Sequence, residues 1–224
     1  ESWNDNGHKI ANHTFTHPNY NAKTTTIADF KSDFLKNDKV ISKYSNYVKF
    51  FRFPYLKEGN TKEKVDAFRS FLKNQNYRNG YVTIDASDWY IDSRLVKRLR
   101  DNPLADISDF SEFYLNHIWE RAQFYEKLSF EINGRHISHT LLLHHNLAAA
   151  LFVDDLIKMF KDKGWEIVSV VEAYKDPVYK TETNFAGESL IYAQAKDSGK
   201  YDAILRYPAE DSRYEKEKMD LLGL

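Results

Sequence analysis

Apolar positions along this chain follow two periods that alternate. Short β-like runs recur at Lys9-Ile10-Ala11, Val48 to Phe53, Tyr81 to Ile84, Thr140 to Leu143 and Trp165 to Val168. Each is apolar or β-branched and bounded by polar residues, as expected of strands buried on both faces. Between them lie patterns of helical period. Ile27, Phe30, Phe34 and Leu35 share one face, preceded by the cap candidates Thr24 to Thr26. Val65, Phe68 and Leu72 share another behind Thr61, and Phe152, Leu156, Ile157 and Phe160 a third, closed by Gly164. Ser108 to Phe130 predicts a long aromatic-rich helix. Strands alternating with helices predict βαβ units and a parallel sheet or barrel. Beyond Val171 the pattern predicts a helix near Ser189 to Ala195, a strand at Ala203 to Leu205 and a charged helix from Asp211 to Leu222.

Composition narrows the classes. Of 224 residues, 42% are hydrophobic, enough for a real core, and 8 Gly with 5 Pro leave most of the chain free for regular structure. The net charge is -1, and no stretch interleaves basic with aromatic residues, so no nucleic-acid partner is expected. There are no cysteines, which excludes disulfides, thiolate metal sites and a cysteine nucleophile. Mean hydropathy is -0.64, and the longest apolar stretch, Leu147 to Val153, is far short of the ~20 residues of a membrane span.

In parallel α/β folds chemistry gathers at the C-terminal ends of strands, which directs attention to four segments. His13-Thr14-Phe15-Thr16-His17 places two imidazoles four residues apart, a spacing that lets both reach one metal in a tight turn. Taken alone, the pair also fits surface or capping histidines. Arg52-Phe53-Pro54-Tyr55 puts a cation at a strand end, where it needs a carboxylate partner. Asp85-Ala86-Ser87-Asp88-Trp89 offers a carboxylate to orient an acid or base, or simply a helix cap. Leu142-Leu143-His144-His145-Asn146 ends an apolar run on a histidine, whose ordinary pKa of ~6.5 suits proton transfer. Together the four supply a metal site, an orienting cation, a carboxylate and an acid, the equipment of metal-assisted amide or ester hydrolysis.

These segments resemble the motifs of the polysaccharide deacetylases (carbohydrate esterase family 4). The likeness rests on NHTFTHP from Asn12 to Pro18, RFPY from Arg52 to Tyr55, DASDW from Asp85 to Trp89 and LLLH from Leu141 to His144, in the family's order. It implies an α/β fold, a distorted (β/α) barrel, with one catalytic domain over residues 1–224: a motif-bearing part at 1–171 and a C-terminal extension at 172–224. It implies removal of N-acetyl or O-acetyl groups from a carbohydrate with a divalent metal, zinc first, with cobalt, nickel or manganese as alternatives. In that reading His13 and His17 ligate the metal, and the Tyr55 N–H stabilises the oxyanion. Arg52 pairs with the base, His144 is the acid tuned by Asp88, and Trp89 and Leu142 line the acetyl pocket. The resemblance also favours a periplasmic or secreted location.

Two departures matter. His145 stands where the family commonly has an aspartate. The family's first motif, a Thr-Phe-Asp-Asp-Gly-like segment supplying the base and a carboxylate ligand, is absent, and with it the first strands of the barrel. The expectation is that an N-terminal segment or a companion chain completes barrel and site. The other expectations are a non-catalytic glycan-binding module, a hydrolase of another small C–N substrate, and an interaction domain with vestigial motifs.

Overall fold

The computed structural model describes residues 2–205 and 211–224. By internal contacts the chain forms two units, Glu1–Tyr81 with Glu182–Asp197, and Val82–Thr181 with Ser198–Leu224. The class is α/β.

The first unit holds helix α1 (Ser2–Asp5), strand β1 (Ile10–Asn12), helix α2 (Ile27–Ile41), strand β2 (Tyr47–Phe51), helix α3 (Lys62–Asn74) and strand β3 (Arg78–Asn79). Its three strands form one parallel sheet in the order β1-β2-β3. The cap residues work as the sequence predicts. The Thr26 and Thr61 hydroxyls accept from the backbone N–H of Asp29 and Lys64, satisfying donors that the first helical turn leaves over. The core is almost wholly aromatic: Tyr20, Phe30, Phe34, Phe51, Phe53, Phe68 and Tyr77 pack with Leu72. Phe68 touches most of the cluster, with ring centroids 4.8 Å from Phe30, 5.2 Å from Phe53 and 5.3 Å from Phe51. Leu35, expected on the buried face, is exposed. β2 is likewise not buried on both faces; Phe51 is its one buried residue.

The second unit is mostly helical: α4 (Asp88–Asp101), α5 (Ser108–Asn133), α6 (Leu147–Asp162), α7 (Val170–Ala173) and α9 (Arg213–Leu222); α8 (Leu190–Ser198) belongs to the first unit, apart from its last residue. Phe110, Tyr114, Ile118, Ala122 and Tyr125 of α5 are buried, and so is Arg121, whose Nε donates to the Asp85 carbonyl at 3.2 Å.

Four expected strands do not form. At Tyr81 to Ile84 and Thr140 to Leu143 the structure has a single parallel bridge, Ile84 with Leu141. The N–H groups of Thr83 and Ile84 converge on one acceptor, the Thr140 carbonyl, at 3.1 and 3.0 Å. The Thr83 hydroxyl then takes the Thr140 N–H at 2.8 Å, so a side chain replaces the next rung of the ladder. Trp165 to Val168 pairs with no strand among the described residues, and Ile167 and Val168 stay largely exposed. Ala203 to Leu205 is a turn, with the N–H groups of Ile204 and Leu205 both directed to the Tyr201 carbonyl. The ladder therefore ends at β3, and no complete barrel forms among the described residues. Nor is any helix there long and apolar enough to cross a membrane.

Candidate functional site

The structure brings four of the eight predicted residues together in the first unit. β1 ends at Asn12, which is buried and acts as a bracket for the turn that follows. Its amide donates to the Phe34 carbonyl at 3.1 Å, and its Oδ1 accepts from the Thr14 N–H at 2.9 Å and from Asn37 at 3.1 Å. Asp33 on α2 holds the next two residues: one carboxylate oxygen accepts from the Phe15 and Thr16 N–H groups at 2.8 and 2.9 Å, the other from the Thr16 hydroxyl at 2.9 Å. Thr14 and His17 adopt left-handed backbone, φ 64 and 56. That conformation costs a non-glycine residue about 1–2 kcal/mol and persists where surroundings impose it.

This turn places the His13 and His17 rings edge to face with centroids 4.8 Å apart. His13 Nδ1 lies 2.7 Å from the Arg52 carbonyl. A carbonyl can only accept, so Nδ1 carries a proton and donates. A backbone carbonyl fixing the tautomer in this way is the usual support of a metal-ligating histidine. The donor set is chemically apt for zinc and its neighbours. It is also partial: among the described residues no group of three or more His, Asp or Glu side chains is placed to hold a metal.

Arg52 follows the end of β2, and its backbone N–H donates to the Asn12 carbonyl at 3.0 Å, extending the β1–β2 pairing. Its Nε donates to the Gly80 carbonyl at 3.1 Å, which aims the guanidinium. No carboxylate among the described residues pairs with it. Pro54–Leu56 forms one tight turn, and Tyr55 and Leu56 are both left-handed, φ 55 and 54. The Tyr55 ring lies 4.6 Å from His17, edge to face.

The turn is held from outside. The Leu56 carbonyl accepts from the Glu188 N–H at 3.0 Å, and Lys57 pairs with the Glu188 carboxylate. Glu58 is buried and accepts from Arg69 at 3.1 Å and from Asn79 at 3.0 Å. Burial raises its carboxyl above the usual range, against the pull of Arg69 and Asn79. Gly187 must be glycine: its φ is 104, and a Cβ would sit 2.8 Å from the Leu56 carbonyl oxygen.

The other four residues lie in the second unit. Asp88, fully buried in the first turn of α4, accepts from His144 Nδ1 at 2.7 Å, from the His144 backbone N–H at 2.8 Å and from Asn146 at 3.1 Å. The helix N-terminus favours its negative charge. His144 is thus the histidine that Asp88 holds, with Nδ1 donating. The ring is half-exposed, as an acid facing a substrate requires. Asn146 caps α6, accepting from Ala149 at 2.8 Å, and so fixes the residues just after His144. Trp89 and Leu142 are half-buried. Leu141 and Leu143, rather than Leu142, line the neighbouring cavity of about 630 Å³, because side chains along an extended segment alternate in direction. Asn12, Asp33, Glu58 and Asn79 escaped the sequence reading; an aspartate in mid-helix at Asp33 and a glutamate six residues past Arg52 were the only signals.

Residues 1–71 match the family model of polysaccharide deacetylase. That stretch includes NHTFTHP and RFPY; DASDW and LLLH lie beyond it. The fold is similar to the crystal structure of a mutant of a CE4 family pseudoenzyme, at 19% identity and a TM-score of 0.50 over 75% of this chain. The chain spans 48% of that protein's length. No curated protein matches it.

Proposed function

We propose that this chain, a polysaccharide deacetylase family member by its residues 1–71, removes acetyl groups from an N-acetylated or O-acetylated carbohydrate with the help of a divalent metal. The observation that carries the reading is the His13 imidazole, held at Nδ1 by the Arg52 carbonyl beside the His17 ring. In the proposal His13 and His17 hold the cation, with zinc the best match to two imidazoles and cobalt, nickel or manganese as substitutes. When bound, the cation supplies Lewis acidity toward the acetyl carbonyl.

The chain's own groups have distinct tasks. The left-handed turn at Tyr55 presents its backbone N–H to the oxyanion that develops as the carbonyl is attacked. Arg52, aimed by Gly80, orients the carboxylate that takes the proton from the attacking water. His144 protonates the leaving nitrogen or oxygen, and Asp88 keeps its tautomer correct and stabilises the imidazolium. Trp89 and Leu142 bound the acetyl methyl. The carboxylates for Arg52 and for the metal are proposed to come from residues outside this sequence, whose strands complete the deacetylase-type barrel.

A second reading has support of its own. With two histidines and no third acidic or imidazole donor grouped among the described residues, the fold could bind glycan without turnover, as a pseudoenzyme would. The test incubates the chain with zinc or cobalt and an acetylated amino-sugar oligomer, with and without formate. Acetate release should rise with formate, which can stand in for the carboxylate opposite Arg52. His144→Ala should lower the rate by roughly 10²–10⁴. Oligomer binding with no acetate under either condition would favour the binding module. Full turnover without formate would refute the account of the base.

A further inference from the structure

The proposed chemistry in the first unit needs Arg52 and the Tyr55 N–H held in fixed register, yet neither the end of β2 nor the turn enforces this. Tyr55 and Leu56 are two consecutive left-handed residues, which a three-residue turn does not sustain unaided. One side chain, Glu58, bonds to residues on two of the restraining elements, α3 and β3. One oxygen accepts from Asn79 at 3.0 Å, and Asn79 is the β3 residue paired with Phe51. The next residue, Gly80, donates its N–H to the Phe51 carbonyl at 2.6 Å and accepts from Arg52 Nε at 3.1 Å. The other Glu58 oxygen accepts from Arg69 Nε at 3.3 Å and from its terminal nitrogen at 3.1 Å. Arg69 in turn donates to the Thr183 carbonyl at 2.8 Å, in the same segment that meets the Leu56 carbonyl through Glu188. Gly59, the next residue, donates to Asn21 Oδ1 at 2.9 Å, four residues past His17.

We infer that Glu58 is a positioning residue: its buried carboxyl ties β3, which aims the Arg52 guanidinium, to Arg69 and so to the segment that braces the Tyr55–Leu56 turn. The inference rests on the reading that Arg52 and Tyr55 serve the reaction. Burying a carboxylate is costly, and an apolar side chain of similar size packs as well or better. A polar carboxyl kept here, with its hydrogen bonds leading to β3 beside Arg52 and to the segment that braces the turn, fits a role in setting geometry. Three separate hydrogen-bond donors also define a direction that an apolar contact does not.

The experiment compares wild type with Glu58→Gln and Asn79→Ala by amide hydrogen exchange and by acetate-release kinetics. Asn79→Ala removes the single link to β3 and serves if Glu58→Gln does not fold. The Leu56 and Lys57 amides, which close the turn onto Phe53 and Pro54, should exchange about tenfold faster while those of α2 keep their rates. Under the formate conditions kcat should fall by about 10–10²-fold with KM within about twofold, the signature of lost alignment rather than lost binding. Unchanged exchange in folded variants overturns the inference, and so does faster exchange with unchanged kcat. Faster exchange in a chain without turnover would support Glu58 as the organiser of the turn while refuting the deacetylase reading.

Discussion

Asp33 commits both carboxylate oxygens to one five-residue turn, and that turn carries both candidate metal ligands. The backbone there is left-handed at Thr14 and His17, so removing the restraint lets the imidazoles drift apart. Asp33→Ala should weaken zinc binding by about 10–100-fold, the usual cost of losing an outer support of a metal ligand. Calorimetric titration of zinc into the two proteins checks this, and equal affinities would show that Asn12 alone holds the turn. At this scale the sequence was informative about the candidate groups and uninformative about those that hold them. His13, His17, Arg52 and His144 stand out because imidazoles and cations at the ends of apolar runs are chemically unusual. Asp33, Glu58 and Asn79 look like ordinary surface polar residues, and their partners lie 17 or more, 11 and 21 residues away in sequence.

Helices were more legible than strands. A helix closes its hydrogen bonds within itself, so the caps at Thr26 and Thr61 and the apolar faces of α2, α3 and α6 are local properties. A strand needs a partner, and Trp165 to Val168 has the composition of one without any partner among the described residues. Tyr81 to Ile84 fails differently, since the Thr83 hydroxyl substitutes for a rung. Elements without regular structure are held instead by side chains. Asp176 accepts from Arg135 and from the Ser138 and Val178 N–H groups at 3.0 and 2.9 Å, pinning the approach to the Thr140 segment. Burial opposes its ionisation, but Arg135 and the two N–H groups outweigh it and hold the carboxyl at about 2. The folded pKa is below the unfolded value of ~3.9, so the carboxylate's contribution is complete above pH ~4 and is lost as pH falls toward 2. Asp176→Asn should therefore flatten the acid limb of stability between those values. Urea midpoints measured from pH 2 to 5 would test it, and parallel curves for the two proteins would contradict it.

The molecule as a whole divides its candidate residues between two units. His13, His17, Arg52 and Tyr55 belong to one, and Asp88, Trp89, Leu142 and His144 to the other. In the first, the candidate residues follow the ends of β1 and β2, and β2 contributes Phe51 to the aromatic cluster. Phe68 is fully buried at its centre, so Phe68→Ala should cost about 3–5 kcal/mol of unfolding free energy, read from guanidinium denaturation of that unit. A loss under about 1 kcal/mol would mean that the cluster repacks around the gap. The sequence by itself determined the α/β class, the positions of the long helices and the four candidate segments, because periodicity, capping and unusual side chains are written locally. Only the tertiary structure decided which strands exist, and that Asn12, Asp33 and Glu58 brace the candidate residues. Those outcomes depend on which donors and acceptors meet across long sequence separations, where each buried polar group must find a partner.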